Sequence, residues 1–142
     1  MKLNKKGFTL VELLAVIVVL AIIGLIGFTS MNAVFDSTRK STAAANAAAL
    51  KSAAKTYCHT KMMEDNGTAP TSAKQTDFEK YFDGNGATAT IGTTASATFA
   101  DNCETVKLGT VTVGLSGKSF DCTEGEDTTT KKPNGKWTCT AK

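Results

Sequence analysis

From Phe8 to Phe28 nearly every position is apolar, and only Glu12 carries a charge. Twenty-one residues at about 1.5 Å each are enough for a helix that spans a membrane. After Phe28 the chain turns polar and alanine-rich, with no proline before Pro70. Met31, Val34, Phe35, Thr38, Ala45, Ala49, Ala53 and Tyr57 recur at three and four, which predicts that the same helix continues outward as an amphipathic one. Run from Phe8 to about Cys58, it would be roughly 75 Å long. A chain of 142 residues has room for one small head, too little to bury such a helix. Its first half must therefore pack on lipid or on other subunits. Ala43-Ala44-Ala45-Asn46-Ala47-Ala48-Ala49 in the outer half combines high helix propensity with room for close approach, so a sheet is expected there. The weak points of the apolar half are Gly24 and Gly27, each costing about 1 kcal/mol relative to alanine.

Asn66-Gly67-Thr68-Ala69-Pro70 reads as the exit turn, and Asp77 to Phe82 as a short helical piece anchored by Phe78, Tyr81 and Phe82. Asp83-Gly84-Asn85-Gly86 ends that piece. Beyond Ala87 the pattern is β: alternation over Ala89 to Phe99, then Glu104 to Leu115 with a change of phase at Gly109 that suggests a bulge or turn. Further strands are expected at Ser119 to Thr123 and Lys136 to Thr140, with Pro133-Asn134-Gly135 as the turn before the last. The fold class that follows is α+β, a long N-terminal helix packed on one C-terminal antiparallel sheet.

Glu12 needs an explanation, because an ionised acid at the centre of a membrane helix costs about 2.5–3.5 kcal/mol and less near its end. An ordinary signal peptide has an uncharged apolar region and an A-x-A-like cleavage site, and Thr29-Ser30-Met31-Asn32-Ala33 supplies none. A plain anchor accounts for the length and leaves the acid without a purpose. Lys2, Lys5 and Lys6 keep the start of the chain cytoplasmic and send the remainder outward. These three also account for the formal charge of +3: without them thirteen basic side chains face thirteen acidic ones, so the net charge does not imply nucleic-acid binding.

Cys58, Cys103, Cys122 and Cys139 all lie on the exported part, and an even count there favours two disulfides, with three pairings open. Their separations of 45, 19 and 17 lack the paired spacing of a zinc site, so no metal is expected. His59 is the only histidine, and no serine sits in a nucleophile elbow, so the chain reads as neither an enzyme nor a cofactor carrier. Asp121, Glu124, Glu126 and Asp127 offer hard oxygens for calcium without the spacing of a calcium loop, and a solvated loop is the simpler reading. Asn66-Gly67-Thr68 has the three-residue pattern of an N-glycan acceptor, which chance also produces.

Lys5-Lys6-Gly7-Phe8-Thr9-Leu10-Val11-Glu12 resembles the processing site of type IV pilins: a basic leader, a glycine before the cut, a phenylalanine after it and a glutamate at the fifth mature position. The resemblance implies a pilin fold with a leader at 1–7, a transmembrane and assembly helix at 8–28, its amphipathic continuation at 29–60, and a head at 61–142 with an αβ loop, the sheet and a cysteine-bounded C-terminal region. A prepilin peptidase would cut between Gly7 and Phe8 and methylate the new amine, which keeps its charge. Glu12 would neutralise the amine of a neighbouring subunit in a dry helical core, acting chiefly as a register device. The family's C-terminal disulfide implies Cys122 with Cys139, leaving Cys58 with Cys103. One departure from the family is that the apolar segment holds no proline, so whether it melts near Gly24 and Gly27 is an open expectation.

The function this implies is a type IV pilus subunit, a homo-oligomeric filament serving adhesion, twitching motility or DNA uptake. Its partners would be the peptidase-methylase, an inner-membrane assembly platform, minor pilins, and a host surface or DNA. The precursor would be a single-pass inner-membrane protein and the assembled form an extracellular fimbrium. Two alternatives share the N-terminus. One is a DNA-binding minor pilin of natural transformation, using Lys131, Lys132, Lys136 and Trp137 as a phosphate-and-stacking patch. The other is a pseudopilin of a type II secretion system, which the cysteine-closed C-terminus makes less apt.

Overall fold

The computed structural model describes residues 9–92 and 96–142. One helix, α1 (Leu10–Glu64), is followed by β1 (Ser72–Lys74), α2 (Gln75–Phe78), a 3-10 turn (Glu79–Tyr81), and β2 (Thr88–Ile91), β3 (Ser96–Ala100), β4 (Thr105–Lys107), β5 (Val111–Leu115), β6 (Lys118–Glu126) and β7 (Pro133–Ala141). The architecture is α+β, a long N-terminal helix followed by antiparallel sheets, consistent with a pilin fold. The chain divides into two compact units, Met1–Ser37 and Thr38–Lys142.

In the second unit α1 ends at Glu64, beyond the boundary expected at residue 60, and the backbone gives the reason. Asn66 adopts a left-handed conformation at φ 52°, and Gly67 follows at φ 90°. The Gly67 N–H donates to the Met62 carbonyl at 2.8 Å, the closing bond of a Schellman cap. Asparagine is one of the few side chains that accept this position.

The buried stripe of α1 is Ala43, Ala47, Leu50, Ala54 and Cys58, with Ala53 beside it. This corrects the expected stripe, in which Ala45 and Ala49 were to face inward; Ala45 is exposed and Ala49 only half-buried. Among so many alanines periodicity does not single out a face. Leu50 and Cys58 set the orientation, one by its size and the other by its covalent partner.

The single expected sheet is two. One has the order β1-β3-β4, the other β2-β5-β6-β7, and all pairings are antiparallel. The alternation over Ala89 to Phe99 is two strands in different sheets, and the phase change at Gly109 is a crossing between sheets. Gly109, at φ 69°, carries the chain from β4 to β5. A segment that changes sheets must turn over its buried face, which is what the phase change recorded. Phe99, Val106, Leu108, Val111, Val113, Phe120 and Cys122 converge with the α1 stripe and Phe78 into one core. Pro133-Asn134-Gly135, expected as a turn, lies in β7, and the turn occupies residues 127–132. Asp127 forms it by accepting from the Thr129 and Thr130 amides at 2.9 and 2.7 Å.

Gln75 closes an open edge. Its buried amide donates to the Ala89 carbonyl at 2.9 Å and accepts from the Ile91 N–H at 2.8 Å, so a side chain takes the place of a neighbouring strand beside β2.

Candidate assembly site

In the first unit every described side chain from Leu10 to Phe28 is exposed, the large apolar ones from 50% at Val18 to 82% at Leu10. Met31, Val34 and Phe35 continue this exposure. Bare apolar surface of this extent marks a lipid or protein contact. Among the described residues α1 is the one helix long and apolar enough to cross a membrane.

Glu12 sits in the first turn of this helix, and its nearest partner belongs to its own chain. The Thr9 N–H and hydroxyl both donate to Glu12 Oε2 at 2.9 Å, and the Glu12 N–H donates back to Thr9 Oγ1 at 3.3 Å. This is a reciprocal capping box. The Leu13 N–H continues into the helix by donating to the Thr9 carbonyl at 3.2 Å. The box satisfies amide donors at the helix start and holds the carboxylate at the end where the helix dipole favours negative charge. Thr9-Leu10-Val11-Glu12 is the T-x-x-E pattern of such a box, a signal present in the sequence but eclipsed there by the pairing role expected for Glu12. Gly7 and Phe8 lie outside the described residues.

In the head, Cys58 is joined to Cys103 with Cα atoms 5.8 Å apart, and Cys122 to Cys139 at 4.1 Å. The first bridge fastens the end of α1 to the β3–β4 turn. There Asp101, Asn102 and Cys103 are all left-handed, at φ 53°, 52° and 71°. Asparagine and aspartate tolerate that conformation; cysteine gains nothing from it, so the bridge and the surrounding turn hold it there. The second joins residues directly opposite on β6 and β7.

Of the four residues of the expected DNA patch, Lys132 is engaged by an acid. Lys132 Nζ lies 2.7 Å from Asp101 Oδ2, and Lys107, whose Nζ reaches the Lys131 carbonyl at 3.3 Å, pairs with Glu126 at 2.9 Å. Trp137 is half-buried, packs on the core and lies opposite Glu124 in the β6–β7 pairing. Lys136 is exposed.

The acidic cluster is dispersed in the same way. Asp121 accepts from the Thr112 hydroxyl at 2.7 Å, and Glu124 from Lys51 Nζ and from the Gly135 N–H at 2.9 Å. Asp127 is committed to its turn. Its carboxyl is held below the ordinary 3.8 by the Thr130 and Thr129 backbone amides, then by the Thr130 hydroxyl. Among the described residues no three metal-ligating side chains converge. A groove of about 350 Å³ runs between Lys107, Leu108, Thr110, Thr123, Glu126 and Pro133, and His59, on α1, is not among its walls.

Residues 2–28 match the family model described as the prokaryotic N-terminal methylation motif. No curated protein and no solved structure matches the chain. The motif is a structural pilin-type one, not that of an enzyme family. It implies processing by a prepilin peptidase and entry into pilus-like assemblies from a membrane-anchored precursor. With an exposed apolar helix that opens on Glu12 and leads into an α+β head, the match supports a type IV pilin-like prepilin.

Proposed function

We propose that the chain is a structural subunit of a type IV pilus, built into an extracellular filament through α1. The observation that carries this reading is the exposure of the whole segment Leu10 to Phe28 with a single acid at its N-terminal end. Lipid satisfies the apolar part in the precursor, and neighbouring helices take its place in the filament. After cleavage between Gly7 and Phe8, the N-methylated Phe8 amine would carry a positive charge one helical turn from Glu12. In the filament that amine pairs with a neighbour's Glu12, and the Thr9 box presents the carboxylate in an ordered position beforehand. A dry interface accepts the two charges together and neither alone, so the pair sets how far one helix slides along the next. The two disulfides support a pilus subunit over a pseudopilin, since a surface filament meets conditions in which the head must keep its fold unaided.

Glu12→Val is the direct test. Membrane fractions should hold the variant at the parental level, while electron microscopy and mass spectrometry of sheared surface filaments should find it largely absent. Normal filaments from this variant would refute the pairing. A deletion strain that retains a secreted enzyme while its pili are intact would move the assignment to a pseudopilin.

A further inference from the structure

We infer that Asn66 is an acceptor for N-linked glycosylation, modified on the exported side by an oligosaccharyltransferase with a lipid-pyrophosphate-linked saccharide as donor. Seven asparagines occur in the chain, at 4, 32, 46, 66, 85, 102 and 134, and Asn66 alone has a serine or threonine two positions on, Thr68, with a non-proline residue between. A pattern of three residues is weak until the fold shows where it lies.

The fold places it where such an enzyme must work. Asn66, Gly67 and Thr68 are all exposed, at the cap of α1 and ahead of β1. The cap is made by backbone groups, Gly67 N–H to the Met62 carbonyl at 2.8 Å and Thr68 N–H to the Asp65 carbonyl at 3.1 Å. The Asn66 amide and the Thr68 hydroxyl are therefore not needed to build the turn, and no hydrogen bond engages either among the described residues. Open space surrounds Gly67, where an added Cβ would meet nothing within 4 Å. The left-handed Asn66 and Gly67 turn the chain away from the helix.

In the transfer, Asn66 Nδ2 forms a bond to C1 of the first sugar and gives up one proton. The C1–O bond to the pyrophosphate breaks, and the lipid pyrophosphate leaves with the electron pair. No oxidant or reductant is required. The product is a bulky hydrophilic cover over the end of α1.

This inference rests on export of the head, and the test separates the two. Whole cells expressing the full chain from its own host are first treated with a protease that cannot cross the inner membrane, after the outer barrier is opened. Protection of the head would overturn export and the inference together. With the head accessible, peptide mass spectrometry of the purified protein should find a saccharide on the peptide that holds Asn66. It should disappear in Asn66→Asp and in Thr68→Val, and persist in Thr68→Ser. Asn66→Asp keeps a side chain that tolerates the left-handed turn and lacks only the nucleophilic amide, and unchanged disulfides in that variant verify its fold. An exported head with Asn66 unmodified, or a saccharide that survives Asn66→Asp, overturns the inference.

Discussion

The two halves of α1 invert the usual relation between hydrophobicity and burial. Leu10 to Phe28 holds the most apolar side chains of the protein and exposes all of them, whereas Ala43, Ala47 and Ala54, which have little surface to hide, are fully buried. The inner half is composed for a solvent or partner the chain does not contain, so its large side chains are contact surface in waiting. The outer half is composed for its own sheets, and small side chains there let the strands come close. Burial within one chain therefore measures which contacts that chain completes by itself.

The difference predicts that changes to the outer half register in the melting of the head and changes to the inner half do not. The largest effect belongs to the covalent link at the end of the outer half. Replacing both Cys58 and Cys103 by serine should lower the unfolding free energy by about 4 kcal/mol from loop entropy, and removing Cys122–Cys139 by about 3 kcal/mol, because the loop it closes is shorter. Denaturant titration of the soluble head would rank them; equal losses would show that strain in the left-handed turn, and not loop length, sets the contribution.

Next in size is the buried alanine face. Ala47→Leu should destabilise the head by about 1–3 kcal/mol through overpacking, while Leu20→Ala in the full chain should leave the head's melting unchanged and reduce recovery of filaments. A head indifferent to Ala47→Leu would mean that helix and sheets are not tightly packed. Gly84→Ala should follow. Its new Cβ would lie 2.3 Å from the Ala87 carbonyl and 2.8 Å from the Phe82 ring, so the loop must shift, at a cost of about 1 kcal/mol or more by the same overpacking rule.

The smallest effect is acid sensitivity, again confined to the head. Hydrogen bonding by Lys132, and then by Thr105, holds Asp101 below its ordinary range; Lys55 does the same for Glu104, and the turn amides for Asp127. A carboxyl whose folded value is depressed adds stability that is complete above its unfolded value and is lost as the pH falls through the folded one. The melting temperature should therefore be flat near neutrality and fall below about pH 4, the ordinary carboxylate range. Asp101→Asn should flatten that fall slightly. These groups are exposed, so screening by salt should shrink the difference further.

Much of this was legible from residue order. The apolar run, the acid within it, the strand-forming composition beyond Ala87 and the turn at Asn66-Gly67 are local signals, each written in a few adjacent residues. What misled were signals with two readings. The phase change at Gly109 fits a bulge in one sheet or a step between two, and only the pairing of β4 with β3 and of β5 with β2 and β6 separates them. The threonine-rich run from Ala89 to Phe99 hid a second crossing in the same way. β1 is three residues long and was invisible, because Ser72-Ala73-Lys74 has no strand character until β3 lies beside it. Lys131, Lys132 and Lys136 are close in sequence, while Asp101, thirty-one positions away, is what Lys132 meets.

Taken alone, the order of residues determined that this chain has an apolar run long enough to span a membrane, an N-terminal methylation motif, and four cysteines beyond that run. Those properties depend on composition over short stretches and on the free energy of moving them between water and lipid, which neighbours in space do not alter. Tertiary structure decided which face of an alanine-rich helix is buried, how many sheets cover it, which charges cancel, and that Asn66 stands clear at the cap of α1. Each of these is a contact between residues far apart in the chain, and its energy exists only once the fold has brought them together.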